Sequence, residues 1–506
     1  MTDAWSAPGS FWGPFLGPLL GPLLGTVGLS LLHVVLSALV TAHVLLRKRD
    51  VASATGWIGL IWLSPFVGSA LYYLLGINRV RERARASRPV RAGGEDVATL
   101  PAPPPAEPLA ALDRTALRLT GRPAEAGNAV TLLHDGDEAY PRMLAAIEGA
   151  SSCIDLSSYI LRDDAAGAPF LDSLIAAHRR GVAVRVLVDG IGGGYFASPA
   201  CRRLWQAGVP AARFMHSPLP WNMPFLNLRS HKKILVVDRR IGFTGGLNIG
   251  AENLLRQDPP DPVRDVHFAL CGPVVRQLAE AFDRDWRFVQ GSAGTAPPAD
   301  EAPRDALADA PRDAPRNALG EAVAAGVVTA RVVTSGPNQD VEKIELLMLQ
   351  AITCARHSVR VATPYFLPDE RLVTALALAA LRGVAVDIVV PERSNHPVVD
   401  RGMHAHVGPL LAAGCRVWLN PPPFDHSKLM VVDGAWSLVG SSNWDMRSLR
   451  LNFELNVEIY DAATAAAVEA VVLGKRGGRL EAEMLARRSL PARLRDAAMR
   501  LLLPYV

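Results

Sequence analysis

A duplicated short motif constrains the fold of this 506-residue chain more than any other feature. The motif has the form His-x-Lys-x4-Asp. Its two copies comprise His231, Lys233 and Asp238, and His426, Lys428 and Asp433. A short segment of the form Gly-(Gly or Ser)-x-Asn follows each copy at the same spacing and ends in Asn248 or Asn443. One match could arise by chance, but two with the same flanking spacing indicate a duplicated structural unit.

The residues after each lysine are aliphatic and largely β-branched, which is typical of a buried strand. Side chains two positions apart on a strand point to the same face, so the histidine and the lysine of each copy project together. The aspartates stand at an odd offset and project from the opposite face. We expect Asp238 and Asp433 to form structural ion pairs there rather than to touch a substrate.

A histidine and a lysine that converge on one point suit the chemistry of a phosphoryl group. The ammonium neutralises charge on the non-bridging oxygens, while the imidazole attacks phosphorus or transfers a proton. Phosphodiester exchange uses two such histidines, one as nucleophile and one as acid for the leaving oxygen. Because each copy of the motif supplies one, the duplication predicts that His231 and His426 meet in one cleft.

The rest of the chain repeats in register with the motif. The sequence Arg-Gly-Val-Ala-Val at 180–184 recurs at 382–386, and helical and strand patterns alternate in both halves. The largely apolar run Val182–Val188 is typical of a buried parallel strand. The predicted fold class is therefore α/β, with two duplicated α/β domains related by a pseudo-twofold axis around one shared active site.

Two apolar stretches without charged residues precede the duplicated region. Residues 25–46 and 55–77 are each long enough, at about 1.5 Å per residue, to cross a hydrocarbon layer of roughly 30 Å. Basic residues follow both stretches. These features predict an N-terminal two-helix transmembrane hairpin, and the basic flanks favour a cytoplasmic position for the rest of the chain.

Composition divides the chain into segments, because a Pro-rich stretch follows the hairpin and a stretch of Ala, Pro, Asp and Arg separates the two halves. The predicted segments are a membrane hairpin at 1–86, a stiff polar linker at 87–127, the first domain at 128–291, a disordered linker at 292–326, and the second domain at 327–506. The second domain ends in an Arg-rich amphipathic tail. The tail either lies on a membrane surface or packs on the second domain.

The charge balance and the cysteines argue against several other classes of protein. A net charge of +4 gives no strong basic surface for nucleic acid. The five cysteines are scattered and odd in number, as expected of buried thiols in a reducing compartment. Neither the cysteines nor the histidines have the spacing of metal ligands, so we predict no metal and no cofactor.

The paired motif resembles the HKD signature of the phospholipase D superfamily, and the likeness spans both halves. Within that superfamily the chain is most similar to the bacterial cardiolipin synthases. The features that carry this second likeness are the N-terminal hairpin, Thr363–Asp369, Gly245–Gly250 and Asp445–Glu454. The resemblance implies a multi-pass enzyme of the bacterial inner membrane with cytoplasmic catalytic domains. Its implied partners are phosphatidylglycerol and membrane lipid, without nucleic acid.

The resemblance also implies roles for individual residues. His231 would form a covalent phosphohistidine, and His426 would protonate the departing alcohol and later deprotonate the incoming one. The other implied site residues bind phosphoryl oxygens (Lys233, Lys428, Asn248 and Asn443), orient neighbours (Ser441), or support a histidine (Asp265 and Glu454). Glu252 and Glu458 are close enough in sequence to be rivals for the supporting role.

The implied reaction transfers a phosphatidyl group between two phosphatidylglycerol molecules and yields cardiolipin and glycerol. Three alternatives stay open: a phospholipase D that hydrolyses or transphosphatidylates other phospholipids, a nuclease, and a membrane scaffold without catalysis. The hairpin and the missing basic groove argue against the nuclease, and two intact motifs argue against the scaffold. The sequence leaves open the acceptor alcohol, the order in which the two histidines act, the membrane face of the catalytic domains and the oligomeric state.

Overall fold

The computed structural model describes residues 13–47, 51–73, 108–216, 228–290, 327–337 and 340–501. Contacts group the chain into two compact units, Met1–Arg83 and Ala84–Val506. The predicted linker at 292–326 lies outside the described residues.

The first unit is helical over its described residues. Its helices are Gly13–Arg47, Val51–Leu63 and Pro65–Leu71. They overlap the predicted spans 25–46 and 55–77, although residues 74–77 are not described. Side chains tie the helices together, since Nδ1 of His43 lies 3.0 Å from the hydroxyl oxygen of Tyr72. By length and apolar character together, none of the helices in the described ranges qualifies as a membrane span.

The second unit is α/β. Its strands are β1 (Glu125–His134), β2 (Cys153–Ser158), β3 (Ala183–Asp189), β4 (Ala211–Phe214), β5 (Ile234–Val237), β6 (Ile241–Gly245), β7 (Val263–Arg264), β8 (Val266–Cys271), β9 (Val328–Ser335), β10 (Ser358–Ala362), β11 (Phe366–Leu367), β12 (Ala385–Pro391), β13 (Arg416–Asn420), β14 (Phe424–Asp425), β15 (Leu429–Val432), β16 (Trp436–Gly440), β17 (Trp444–Asp445), β18 (Glu454–Tyr460) and β19 (Gly478–Leu480). Its α-helices are Pro108–Thr120, Asp135–Glu148, Gly167–Arg179, Pro199–Gln206, Val274–Val289, Lys343–Cys354, Glu370–Leu381, Pro397–His406, Gly408–Ala412, Met446–Arg450, Ala462–Gly474, Ala482–Ala486 and Leu490–Leu501.

In the described residues, fifteen strands form one sheet whose order is the same on both sides of its middle. The central pair is β1 and β9, which run antiparallel. One side continues with β8, β6, β5, β2, β3 and β4, and the other with β18, β16, β15, β10, β12 and β13, followed by β19 at the edge. The two halves share one topology, which confirms the predicted pair of duplicated α/β segments.

The motif strands β5 and β15 lie inside this sheet, and every residue of both is buried. Each is antiparallel to the first of three parallel strands, β2 in one half and β10 in the other. Parallel neighbours need crossover connections, which the intervening helices supply on the faces of the sheet. His231 and His426 therefore stand at the entry to rigid strands.

The segment predicted as a polar linker at 87–127 contains a packed helix. Helix Pro108–Thr120 contacts helix Lys343–Cys354. Leu112 and Ala116 of this helix belong to the buried core of the second half. Because they are four positions apart, they lie on one helix face, and that face is covered.

The C-terminal tail packs on the second half of the unit. Helix Leu490–Leu501 contacts helix Pro397–His406. The carboxylate of Asp496 on this helix is buried and pairs with Arg488 at 2.8 Å. Of the two placements that the sequence leaves open, packing on the second domain is the one observed.

Candidate active site

Each motif histidine is held by a backbone bond from the opposite half of the chain. The N–H of His231 donates to the carbonyl of Phe453 at 2.9 Å, and the N–H of His426 donates to the carbonyl of Arg264 at 2.7 Å. Short parallel pairings surround both bonds, between Ser230 and Phe453 and between β14 and β7. The segment before one motif therefore lies beside the segment that follows the other, and this exchange brings the two motifs together.

The carboxylates beside the histidines cross between the halves in the same way. Nδ1 of His231 lies 3.2 Å from Oε1 of Glu454, and Nδ1 of His426 lies 3.0 Å from Oδ2 of Asp265. Both acids that were predicted to support a histidine therefore contact one. In each case the acid and the histidine come from opposite halves of the chain. The rival acids form ion pairs elsewhere, Glu252 with Arg162 and Glu458 with Arg331.

The two carboxylates differ in pKa, and the residue next to each one also differs. Burial raises the pKa of Glu454, but its bonds to His231 and to the Ser441 hydroxyl, at 2.6 Å, outweigh burial and leave that pKa below its usual value. Gly246 stands where the second copy has Ser441, and a Cβ there would lie 2.1 Å from Oδ1 of Asp265. No hydroxyl reaches Asp265 from that position, and burial raises the pKa of Asp265 to about 7.

Both motif lysines are buried beside the histidines. Nζ of Lys233 donates to the carbonyl of His231 at 2.7 Å, and Lys428 makes the same bond to the carbonyl of His426. Burial lowers the pKa of Lys233 to about 8 and the pKa of Lys428 to about 7, although nearby carboxylates oppose both shifts. Ammonium groups that have lost part of their hydration gain more from a bound anion than solvated ones do.

The cations of both motifs act on one another. Burial lowers the pKa of His426 well below its usual value, and Lys428, Lys233 and His231 lower it further. The site therefore crowds two imidazoles and two ammoniums around two carboxylates. An anion placed among them would relieve this repulsion, so the arrangement favours a negatively charged ligand such as a phosphodiester.

The asparagines that follow the motifs offer amide groups to a ligand. Oδ1 of Asn248 accepts the N–H of Ile160 at 3.3 Å, and Asn443 is buried with its Oδ1 unpartnered. In the described part of the chain, Nδ2 of neither asparagine donates to a protein acceptor, so both remain available as donors. No group of three or more His, Cys, Asp or Glu side chains there is arranged to hold a metal ion.

With the residues that the structure describes, the motif aspartates form none of the predicted ion pairs. Asp238 accepts bonds of 2.7 to 2.9 Å from backbone N–H groups and two hydroxyls of Ser151–Cys153. Asp433 accepts bonds of 2.7 to 2.9 Å from the three N–H groups of Arg356–Ser358. Both aspartates have a φ just above 50°, which turns each carboxylate toward the start of the neighbouring strand. Aligned amides therefore replace a cation, at the end of the motif strand remote from the histidine.

Comparison with known proteins identifies the family. The family model described as "Cardiolipin synthase, PLD-like domain" matches residues 143–286 and 348–473, and one described as "Phospholipase_D-nuclease N-terminal" matches residues 35–76. The cardiolipin synthase of Geobacillus kaustophilus is 31% identical over 473 residues, which cover 91% of this chain and 90% of that protein. Cardiolipin synthase A of Pseudomonas aeruginosa strain LESB58 is 32% identical over 486 residues, which cover 94% of each. The chain belongs to the cardiolipin synthase family of phospholipase D-like proteins.

A solved structure agrees with the fold of this cardiolipin synthase family member. The phosphatidylserine synthase of Haemophilus influenzae aligns with a TM-score of 0.58 at 17% sequence identity, covering 78% of this chain and all of that one. At that identity the likeness concerns the α/β fold alone.

Two tyrosines at the site of this cardiolipin synthase family member escaped the sequence analysis. Tyr159 packs edge-on against His231 with ring centroids 4.4 Å apart, and the ring of Tyr365 lies 6.3 Å from that of His426. Both follow the strand next to a motif strand, in the sequences Ser-Ser-Tyr-Ile-Leu and Thr-Pro-Tyr-Phe-Leu. An alignment of the two halves on each other would have found the pair. Asn452, whose Nδ2 lies 3.1 Å from Nδ1 of His231, has no such signal.

Proposed function

We propose that this chain is a cardiolipin synthase, which transfers a phosphatidyl group from one phosphatidylglycerol to another through a phosphohistidine and releases glycerol. The observation that carries the proposal is the exchange of supporting acids, with Glu454 on His231 and Asp265 on His426. This exchange makes each histidine depend on both halves, as expected when both act on one phosphorus atom. The names of the Geobacillus and Pseudomonas relatives support the lipid substrate.

The two domains, 128–291 and 327–506, share one active site in this proposal. A pseudo-twofold axis between β1 and β9 would relate them, and the matching strand order on the two sides of that pair supports this relation. The crossed backbone bonds of His231 and His426 support a site at the domain boundary.

In the first step, His231 attacks the phosphorus of the donor phosphatidylglycerol. The carboxylates occupy Nδ1 of each ring, which leaves Nε2 to act on the substrate. Glu454 favours the nucleophilic role for His231 because its lowered pKa keeps it ionised, and an ionised carboxylate at Nδ1 holds the ring proton there and leaves Nε2 free to attack. A P–N bond forms, the P–O bond to the glycerol head group breaks, and His426 donates a proton to the departing oxygen.

In the second step, the terminal hydroxyl of a second phosphatidylglycerol attacks the phosphohistidine. His426 now accepts the proton of that hydroxyl, the new P–O bond forms, and the P–N bond to His231 breaks. Burial and the nearby cations lower the pKa of His426, and a bound phosphodiester anion offsets the cations, so bound substrate raises that pKa and helps the ring to carry a proton.

Charge on the non-bridging oxygens is held by side chains in both steps. Lys233 and Lys428 neutralise it, and the free amide groups of Asn248 and Asn443 donate to it. Such preorganised donors cost no reorganisation when charge develops in the transition state. Ser441 acts indirectly, by keeping Glu454 ionised.

The first unit attaches the enzyme to the bacterial inner membrane in this proposal. Residues 1–86 would form the membrane hairpin, with the catalytic domains in the cytoplasm. Apolar side chains of this unit support the assignment, since Leu31, Leu39, Leu46 and Leu63 are 65%, 66%, 85% and 87% exposed. Exposed apolar surface of this kind is unfavourable in water and favours contact with lipid.

Incubation of the purified protein with phosphatidylglycerol in the presence of a chelator tests the proposal. We expect cardiolipin and glycerol in equal amounts and no effect of the chelator. His231→Asn and His426→Asn should each lower the rate by a factor of roughly 10² to 10⁴ or more. Phosphatidic acid as the main product would instead identify a phospholipase D that uses water, and cleavage of DNA without lipid turnover would identify a nuclease.

A further inference from the structure

The two halves differ in charge at the position four residues after the motif asparagine. Glu252 and Arg447 are equivalent, because each stands four residues after the asparagine that follows its motif. Glu252 pairs with Arg162 at 3.3 Å. The side chain of Arg447 makes no hydrogen bond or ion pair with any described residue, and its Nε is buried. The first half therefore has a paired acid, Glu252, at the position where the second half has an unpaired cation, Arg447.

The backbone of Arg447 is fixed close to His231. The residue lies on the short helix Met446–Arg450, and its carbonyl accepts the N–H groups of Leu451 and Asn452 at 2.8 and 3.0 Å. Nδ2 of Asn452 in turn lies 3.1 Å from Nδ1 of His231. Arg447 is thus anchored to a residue that touches the ring of the first motif.

The charge of Arg447 acts on two groups around His231. Burial and the carboxylate of Asp189 raise the pKa of Tyr159, and Arg447 opposes that increase. Tyr159 packs 4.4 Å from the ring of His231. Burial also raises the pKa of Asp445, and Arg447 again opposes the shift. The unpaired guanidinium is therefore close enough to Tyr159 and Asp445 to act on both groups.

Transfer between two phosphatidylglycerol molecules needs a second phosphate-binding site. Lys233 and Lys428 serve the reacting phosphate, but the acceptor brings a phosphate of its own, separated from the attacking hydroxyl by its glycerol. The two anions repel each other at this separation unless a further cation lies beside the second one. Water and uncharged alcohols carry no such phosphate, so this requirement is specific to a lipid acceptor.

We propose that Arg447 binds the phosphate of the acceptor phosphatidylglycerol while the terminal hydroxyl of that lipid attacks the phosphohistidine. The inference rests on the proposed function and assigns the acceptor subsite within it. A guanidinium suits this task because its planar fork can form two parallel bonds to a phosphate. No bond to Arg447 forms or breaks, since the proton of the attacking hydroxyl passes to His426 and the P–N bond to His231 is the one that breaks.

A comparison of two acceptors tests the assignment in the full-length protein. Cardiolipin formation measures transfer to phosphatidylglycerol, and incorporation of labelled glycerol into phosphatidylglycerol measures transfer to an acceptor without phosphate. We expect Arg447→Gln to lower cardiolipin formation by about tenfold to a hundredfold. Glycerol exchange should stay within about twofold of the unaltered protein.

Two further variants serve as controls. Arg162→Gln also removes one positive charge, that of the residue which pairs with Glu252. It should change neither cardiolipin formation nor glycerol exchange. Arg447→Lys keeps the charge but loses the fork, so it should raise the KM for phosphatidylglycerol in cardiolipin formation, while the KM for phosphatidylglycerol as donor in glycerol exchange stays unchanged. The lysine variant supplies the test if the glutamine variant fails to fold.

Any one of four outcomes would overturn the assignment. Arg447→Gln that folds normally but loses both reactions equally would show that the residue serves the donor or the fold. Unchanged cardiolipin formation in this variant, or an unchanged KM in Arg447→Lys, would show that the acceptor phosphate lies elsewhere. If the unaltered protein exchanges glycerol but forms no cardiolipin, the proposed function fails, and the assignment fails with it.

Discussion

At the scale of single residues, one difference between the repeats changes the surroundings of the carboxylate behind each histidine. Ser441 gives Glu454 a hydroxyl donor, whereas the glycine at the equivalent position gives Asp265 none. Burial raises the pKa of both carboxyls, but at Glu454 the charge of His231 and the bonds to His231 and Ser441 outweigh it and the pKa is lowered. At Asp265 burial prevails, Asp425 adds to it, and the pKa rises to about 7. A duplicated site can thus assign different tasks to its two imidazoles through the groups behind them.

Removal of the Ser441 hydroxyl should make the site more sensitive to acid. The hydroxyl stabilises ionised Glu454, so Ser441→Ala raises the pKa of this carboxyl, and the acid limb of the kcat/KM profile should move up by about one pH unit. Ser442→Ala is the matched control, because the Ser442 hydroxyl is buried without a partner. Equal shifts in both variants, or none in either, would contradict the role given to Ser441.

The lysines predict that anion binding weakens as pH rises. With pKa values of about 7 and about 8, Lys428 and Lys233 lose their protons just above neutrality in the empty site, whereas a bound phosphodiester retains them. Glycerophosphoglycerol keeps a single negative charge throughout, so its affinity for unreactive His231→Asn should fall at least about tenfold between about pH 7 and pH 9. Titration calorimetry measures this change, and a constant affinity would contradict it.

The sequence predicted which residues gather at the site better than it predicted their partners. The histidines, lysines and asparagines follow from the repeated motif, and both supporting acids were named beforehand. The crossing of Asp265 and Glu454 was not predicted, because sequence spacing carries no information on which half supplies the neighbour. The ion pairs expected for Asp238 and Asp433 were wrong, because a turn with positive φ aims each carboxylate at backbone amides.

At the scale of elements, these aspartates fasten each motif strand to its neighbour. Asp238→Asn replaces a charged acceptor of several N–H groups with a neutral one and should lower the free energy of unfolding by about 1 to 3 kcal/mol. The activity of the folded fraction should hardly change, because Asp238 is at the far end of β5 from His231. Chemical denaturation measures the loss.

Asp172→Asn is the control for this prediction. Asp172 is 67% exposed and pairs with Arg203 on the surface, where an ion pair contributes little. A stability loss in Asp238→Asn no larger than in the control would contradict the fastening role, and so would a large loss of activity in molecules that remain folded.

Strands were easier to predict than the helix before them. The repeated strand patterns have a buried partner in both halves, so their periodicity is strong. Helix Pro108–Thr120 follows a Pro-rich stretch, and its composition alone suggested a linker. Its covered residues Leu112 and Ala116 stand at helical spacing, so periodicity rather than composition carried the signal.

At the scale of the whole molecule, the duplication accounts for both the sheet and the site. Two copies of one strand order meet at β1 and β9. The repeats in sequence predicted two α/β halves, but not that they would continue one sheet, since the pairing of β1 with β9 joins segments far apart in the chain. The same meeting of halves brings an acid from each to the histidine of the other.

Both motif histidines serve a single covalent reaction in the proposed mechanism, with His231 as nucleophile. The most direct measurement is mass spectrometry of His426→Asn after incubation with phosphatidylglycerol and quenching in denaturant at mildly alkaline pH, where the P–N bond survives. We expect a phosphatidyl adduct on His231 in this variant and none in His231→Asn. An adduct on another residue, or one that persists when both histidines are replaced, would contradict it.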